Sequence, residues 1–219
     1  ISAIKNNEWL WGYRESDRLG GHDPYSNSKA CAELVTSSFR QSFFDPLNIG
    51  LATARAGNVI GGGDWSQDRL IPDFIRAQQN SSILTIRNPK AIRPWQHVIE
   101  PVCGYMNLCE KLYQEPKKYS DAWNFGPNDF GVLDVETVIS EMQRNVSQEV
   151  KVEFSKDEFK HEASLLKLDV SKAKNQLKWE SRWAFQETIK KTANWYEYYY
   201  QKEDIYNFSL SQVNQYLSS

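Results

Sequence analysis

The stretch Asp23-Pro24-Tyr25-Ser26-Asn27-Ser28-Lys29-Ala30 reads as the start of a helix. Asp23 is a strong N-cap residue, and Pro24 suits the first helical position, where a missing N–H costs nothing. At a spacing of four, Tyr25 and Lys29 share one helix face, so the ammonium stands beside the phenol and favours its ionised form. The positive end of the helix acts in the same direction. A free phenol titrates near pH ~10, and a phenol brought toward neutrality exchanges a proton with a sugar or alcohol hydroxyl. Alcohol oxidation is therefore one reading of the pair, and an ordinary helix face is the other. The same spacing recurs at Tyr113/Lys117 and Tyr198/Lys202, but only Tyr25/Lys29 has a capped helix start and a glycine-bearing approach, Gly20-Gly21, in front of it.

Downstream, residues 24 to about 45 form one predicted helix, with Ala30, Leu34, Phe39 and Phe43/Phe44 as spaced apolar positions and Asp45-Pro46 as its stop. Asn48 to Arg55 reads as a buried parallel strand that runs into the glycine-rich loop Ala56 to Asp64. In open α/β sheets ligands bind at the carboxyl edge of the strands, where glycines admit close backbone approach. Gly61-Gly62-Gly63 matches neither a P-loop nor the dinucleotide fingerprint. Helices are predicted at Leu70–Gln79, Pro101–Tyr113, Leu133–Arg144, Ser171–Leu177 and Trp183–Gln201. Short strands are predicted at Ile83–Ile86, Trp95–Ile99, Ala122–Phe125, Val150–Phe154 and Leu165–Leu168. The tail from Lys202 stays ambiguous. This alternation predicts an α/β fold with a smaller mixed lobe in its later part.

Upstream, Lys5 to Asp23 carries Trp9, Trp11 and Tyr13 among charged residues, a composition of a packed surface loop rather than a disordered tail. The chain has 219 residues, a formal charge of −2 and no basic footprint for nucleic acid. No run of about 18 apolar residues is present to span a bilayer, and no secretory leader is seen, so a cytoplasmic protein is expected. Cys31, Cys103 and Cys109 fall in predicted helices and are expected to be buried, reduced thiols. His22, His97 and His161 are scattered, and no Cys or His pair has zinc-ligand spacing, so no metal is expected.

Arg55, Arg69, Arg76, Arg87 and Arg93 concentrate between residues 55 and 93, several of them in or beside loops. Guanidinium forks grip phosphates well, and Arg93-Pro94-Trp95-Gln96-His97 offers a charge, an aromatic face and hydrogen-bonding groups to a nucleotide. Solvated arginines paired with Asp64, Asp68 and Asp73 account for the same pattern.

Taken together, Trp11-Gly12-Tyr13-Arg14-Glu15, Pro24 to Glu33, Arg55 to Trp65, Asp68 to Asp73, Ile86 to Pro89, Arg93 to Val98, Trp123 to Pro127, Leu166 to Asp169 and Ser171 to Ala173 resemble the extended short-chain dehydrogenase/reductase family, and within it the 4,6-dehydratases that act on CDP-glucose. The likeness covers residues from about 8 to 200. It implies an incomplete Rossmann-type doubly wound sheet that binds NAD, with residues 1–60 its C-terminal part, and a substrate lobe over 61–219 interleaved with returning Rossmann elements. It implies that Tyr25 is the acid/base and that Lys29 is its partner and holds the nicotinamide ribose. Asn58 would meet both cofactor and substrate, Arg69 and Leu70 would line the nucleotide-sugar site, and Arg87 and Arg93 would bind the nucleotide or its phosphates. Trp95 and His97 would help form the pocket. The full-length protein would be a homodimer without nucleic-acid or membrane partners.

In such an enzyme the 4-hydroxyl is oxidised, the ketone acidifies C5, water leaves from C6 and the hydride returns to C6. That sequence of steps needs more than one catalytic group. The family carries a Thr/Ser-Asp-Lys or Glu-bearing segment ahead of the first loop, and Ile1-Ser2-Ala3-Ile4 does not match it. The glycine fingerprint is also missing, so the chain reads as a fragment that alone neither binds NAD tightly nor turns over substrate. A sugar-nucleotide epimerase, a dehydratase of another nucleotide, and a non-catalytic binding or dimerisation fragment are the competing readings.

Overall fold

The computed structural model describes residues 3–128, 131–155, 164–202 and 204–219; His161 lies outside them. Helix α1 (Pro24–Phe39) starts where the capping pattern places it, with the Asp23 carboxylate accepting from the Ser26 N–H at 2.9 Å. It continues through a π-type turn at Arg40–Phe44 and a short 3-10 turn at Asp45–Leu47. Asn48 then takes a left-handed conformation (φ 53°), and the Ile49 N–H reaches back to the Phe44 carbonyl. Residues expected to open a strand at Asn48 are therefore spent on the turn, and β1 covers Thr53–Ala56.

Strand β1 runs in parallel with β5 (Ala122–Phe125). The Gly57 N–H extends that ladder to the Phe125 carbonyl at 2.9 Å, and the next residues form β2 (Asn58–Ile60), which pairs with β4 (Ile92–His97) instead. One nearly continuous strand thus changes partners at Gly57. A Cβ there would lie 2.6 Å from the Pro94 carbonyl oxygen, so the crossing requires glycine. Strand β4 also pairs antiparallel with β6 (Val132–Asp134), and β3 (Ile83–Ile86) pairs in parallel with β7 (Lys151–Phe154).

Helices α2 (Leu70–Asn80), α3 (Ile99–Gln114), α5 (Val135–Arg144) and α6 (Phe185–Tyr200) pack around these strands, with α4 a single turn at Pro116–Tyr119. The main core joins α2, β3, β4, α5 and α6 through Phe74, Ile75, Trp95, Val138, Met142 and Ile189, and a second cluster forms around Trp123, Phe125 and Leu177. The ambiguous tail is α7 (Ile205–Leu217), capped by the Asp204 side chain on the Asn207 N–H and docked by buried Gln212 and Tyr216. Leu165 and Leu168 make single bridges, to Ile92 and Tyr13, rather than a strand. Ser171–Leu177 is helical with a π-type turn over its last five residues, and Asp169 supplies the acceptor for the Ser171 N–H at 2.7 Å.

The aromatic loop before α1 is only partly packed: Tyr13 is buried, while Trp9, Leu10 and Trp11 are exposed. Its base closes through an Ile4–Leu19 bridge and a Gly20 N–H to Ala3 carbonyl bond of 2.8 Å, while Trp9 stacks on Tyr13 with ring centroids 5.6 Å apart. Three quoted motifs meet at its far side. Tyr13 exchanges backbone bonds with Lys167 and Asp169, both 2.9 Å, and the Asn124 side-chain amide donates to the Tyr13 carbonyl.

The cysteines depart from expectation: Cys31 and Cys109 are exposed and Cys103 is half-buried. Periodicity alone does not say which helix face is covered, and on α1 only Ala30 is buried. No disulfide is formed among them. Among the described residues no helix is long and apolar enough to cross a membrane, and no group of three or more His, Cys, Asp or Glu is placed to hold a metal ion.

Candidate active site

A cleft of about 830 Å³ opens where β2 ends, α2 begins and β3 and β4 present their ends. Tyr25, Asn58, Arg69, Leu70, Arg87, Arg93 and Trp95 all line it. These residues come from well-separated stretches of sequence, so the fold, not sequence proximity, assembles them. Lys29 and His97 are not part of its lining.

Tyr25 sits in the first turn of α1 and is 60% exposed. Its position is fixed by the helix start. The Ser26 hydroxyl donates to Asp23 at 2.6 Å, and the Asn27 side chain clasps Gly21 and the Asp23 carbonyl. The Ser26 bonds hold the Asp23 carboxyl below its usual range. A Cβ on Gly21 would lie 2.1 Å from the Ser26 Cβ, so the chain must be glycine there to enter α1 at this angle. The Lys29 ammonium lies 5.4 Å from the centroid of the Tyr25 ring, within cation–π range.

The helix is tied to the sheet by Glu33, which accepts from Arg55 Nε at 2.8 Å and from the Thr53 hydroxyl at 2.7 Å. Burial pushes the Glu33 carboxyl up, but the bonds from Arg55 and Thr53 and the Arg55 charge outweigh it and hold it below the ordinary value. Arg55 is 5% exposed and also donates to the Glu15 carbonyl at 3.2 Å. It is therefore a strut beneath the Tyr25 helix and not a cleft residue.

The other two spacings of tyrosine and lysine go elsewhere. Tyr113 is 90% exposed at the end of α3, and Lys117 belongs to the separate turn α4. Tyr198 stacks on Phe208 at 4.2 Å, and Lys202 lies beyond the end of α6 in a left-handed conformation. Neither pair lines the cleft.

The arginines divide in the same way. Arg69, Arg87 and Arg93 line the cleft, whereas Arg76 bonds Asp73 and the carbonyls of Trp65 and Ser66. Arg69 stands immediately before α2 and Leu70 is its first residue, so the N-terminal turn of that helix lies at the cleft, with N–H groups at Leu70 and Ile71 but none at Pro72 and with Asp73 in the same turn. Trp95 contributes a wall from the core: it is 5% exposed and its indole N–H donates to the Leu133 carbonyl at 3.0 Å.

His97 is buried beneath the glycine loop, packed edge-on against Trp183 with ring centroids 4.9 Å apart. Its Nδ1 accepts from the Ile99 N–H at 3.3 Å, which leaves the proton of the neutral ring on Nε2, and that atom has no partner. Burial first, and the Lys191 charge second, lower its pKa to about 4. The neutral ring is thus what the fold accommodates. Its stabilising contribution is complete above the unfolded value near 6.5 and is lost as the pH falls from there through 4. Between pH 7 and pH 5 this one group is expected to remove about 2 kcal/mol of stability. Urea unfolding at the two pH values should show that difference shrinking by most of this amount in His97→Gln; an undiminished difference would refute the assignment.

Sequence reasoning passed over an aromatic cage that borders the cleft. Trp195, Tyr196, Tyr199 and Tyr200 of α6 surround Trp65, which follows the glycine run. The i, i+4 spacing of Trp195 with Tyr199 and of Tyr196 with Tyr200 was the available signal.

A family model described as GDP-mannose 4,6 dehydratase matches residues 11–192, a span that holds every cleft residue named above. The chain belongs to this family. It is similar to the CDP-glucose 4,6-dehydratase of Salmonella typhimurium, with 48% identity over 98% of this chain and 61% of the relative. It is also similar to the low-salt glycan biosynthesis protein Agl12 of Haloferax volcanii, with 25% identity over 84% of this chain and 56% of that protein. Among solved structures, UDP-glucose 4-epimerase of Stenotrophomonas maltophila with bound NAD superposes with a TM-score of 0.76 at 14% identity, over 92% of this chain and 62% of that one. The dTDP-glucose 4,6-dehydratase of Bacillus anthracis in complex with NAD gives 0.70 at 19%, over 90% and 58%. These likenesses show that the mixed α/β fold is that of NAD-dependent epimerases and dehydratases over part of their length. The chain spans about three-fifths of the length of the Salmonella relative.

Proposed function

We propose that this chain carries the catalytic tyrosine and the nucleotide-sugar cleft of a 4,6-dehydratase whose substrate is CDP-glucose. The observation that supports the reading is the convergence of Tyr25, Asn58 and three arginines on one cleft, beside the 48% identity to a CDP-glucose 4,6-dehydratase. Arg69, Arg87 and Arg93 offer guanidinium forks to a diphosphate in a cleft that also holds Asp64, Asp68 and Asp73, and the first turn of α2 adds the N–H groups of Leu70 and Ile71. Asn58, the first residue after the strand changes partner, supplies donor and acceptor to the sugar or diphosphate, and Leu70 and Trp95 give apolar walls. Tyr25 holds and moves the proton of the sugar 4-hydroxyl, and Lys29 supplies a positive charge beside its ring. His97 and Arg55 serve as supports in this reading.

The residues at hand fit the nicotinamide end of an NAD molecule: a tyrosine fixed at a helix start, an exposed lysine one turn on, and Asn58 across the cleft. When bound, NAD supplies the hydride acceptor for oxidation at C4. The 219 residues contain no glycine fingerprint for its pyrophosphate. The 219-residue chain alone is therefore expected to show no dehydration of CDP-glucose and only weak NAD binding. We place the division between the Rossmann part and the substrate lobe near residue 60, where the strand changes partner, and extend the family reading to a cytoplasmic homodimer of the full-length protein.

Calorimetric titration of the chain with CDP-glucose, dTDP-glucose, UDP-glucose and GDP-mannose tests the reading. CDP-glucose is expected to bind most tightly, with Arg93→Ala weakening it about tenfold or more. A preference for another nucleotide overturns the CDP assignment, and no binding by any of the four overturns the cleft.

A further inference from the structure

The loop of residues 61–69 joins Asn58 on β2 to Arg69 ahead of α2, and it opens with three consecutive glycines. Such a segment has little intrinsic reason to hold one shape, because ordering costs about 1–2 kcal/mol per residue and glycine is at the upper end. It also contains Asp68 at φ 57°, a strained left-handed position one residue before Arg69. Something outside the loop must hold it.

The contacts that do so converge on Trp65. Its ring centroid lies 5.0 Å from Tyr199, 5.3 Å from Tyr196, 6.1 Å from Tyr200 and 6.4 Å from Trp195, edge-on to Tyr196 and Tyr200. Its carbonyl accepts from Arg76 Nη1 at 3.1 Å, and the neighbouring Ser66 carbonyl accepts from Nη2 at 2.9 Å. The Tyr196 hydroxyl donates to the Asp64 carbonyl at 2.8 Å. Burial pushes that hydroxyl up to about 12, so it remains a donor throughout the working pH range. On the glycine side the indole of Trp195 lies flat against the loop, where a Cβ on Gly62 would stand 2.0 Å from the ring. The Trp195 N–H in turn donates to the Ser209 hydroxyl on α7 at 2.9 Å.

We propose that Trp65, seated among the rings of α6, is the positioning residue that sets loop 61–69 and thereby the Arg69 wall of the cleft against the C-terminal helices. Trp65 is not among the cleft-lining residues, so it acts through Arg69 and the start of α2. The role in ligand binding rests on the nucleotide-sugar reading of the cleft; the anchoring of the loop does not.

Hydrogen exchange and CDP titration of the 219-residue chain test the two parts separately. Trp65→Ala is expected to speed exchange of the 61–69 amides about tenfold while those of α1 and β5 keep their rates. It is expected to weaken CDP binding about fivefold or more, with Trp65→Phe restoring most of both, because a smaller ring still fills the cage. Tyr199→Ala, which removes one wall of the cage and leaves Trp65 and the cleft lining in place, is expected to produce the same two changes in smaller measure and serves if the first variant does not fold. Unchanged loop exchange in W65A overturns the proposal, as does faster exchange with CDP affinity retained. Absence of CDP binding by the unaltered chain defeats the nucleotide-sugar reading alone, and loop exchange then decides whether Trp65 is the anchor.

Discussion

Glu100→Ala is expected to lower the stability of the chain by about 3–5 kcal/mol, because it strands several buried donors at once. Glu100 is fully buried in the first turn of α3. Its carboxylate accepts from the Arg182 N–H at 3.0 Å, from the Trp183 N–H at 2.7 Å and from the Tyr216 hydroxyl at 2.6 Å. One side chain therefore closes the segment entering α6 and the last turn of α7 onto α3. Burial first, then the Glu100 hydrogen bond and charge, push the Tyr216 hydroxyl far above its ordinary value, so it serves only as a donor. Arg182 reinforces the corner by donating to the Tyr216 and Ser219 carbonyls at 3.0 and 3.1 Å. Tyr216→Phe removes one of the bonds without stranding the backbone donors and is expected to cost about 1–2 kcal/mol. Urea unfolding of the two variants measures the difference. A loss below about 1 kcal/mol for Glu100→Ala would show that water replaces the carboxylate and that the corner is not held this way.

The contrast between α1 and α7 explains what could be read from the amino acids. The start of helix α1 was legible because its signal is local: Asp23 and Pro24 act within a turn of the residues they govern, whereas the expected stop at Asp45-Pro46 falls inside a 3-10 turn beyond Phe39, the last α-helical residue. The start of α7 carried a similar signal, Asp204 capping Asn207, but nothing local says that Tyr216 finds Glu100 more than a hundred residues away. Burial failed for the same reason. Cys31 and Cys109 lie on helices as expected, yet which helix face is covered depends on partners remote in sequence. The strand expected from Asn48 begins later because Asn48 closes the turn after α1 in a left-handed conformation, one that asparagine adopts more readily than most residues. In the cleft, the motifs were visible one by one, while the split of the arginines was not: Arg55 and Arg69 look alike until Glu33 claims one of them.

Tyr25→Phe is expected to reduce turnover about a thousandfold in the chain completed by the unmatched part of the Salmonella relative, with CDP-glucose affinity within about threefold of the unaltered protein. The substitution removes only the hydroxyl. The ring stays in the first turn of α1, where Asp23 and Asn27 fix the backbone, and its contact with the Lys29 ammonium needs no oxygen. In the reading proposed above, binding rests on Asn58 and the arginines of the cleft, so a group that acts on the proton of the 4-hydroxyl should affect kcat and leave KM nearly unchanged. Lys29→Met keeps the length of the side chain and removes its charge, and is expected to cost about a hundredfold. Tyr113→Phe and Tyr198→Phe are the matched controls, since both carry the same spacing to lysine and neither lines the cleft. Retained turnover in Tyr25→Phe, or an equal loss in either control, would remove the proton-transfer role from Tyr25. A raised KM with kcat unchanged would recast it as a binding residue, and the chemistry would then have to come from another group facing the cleft.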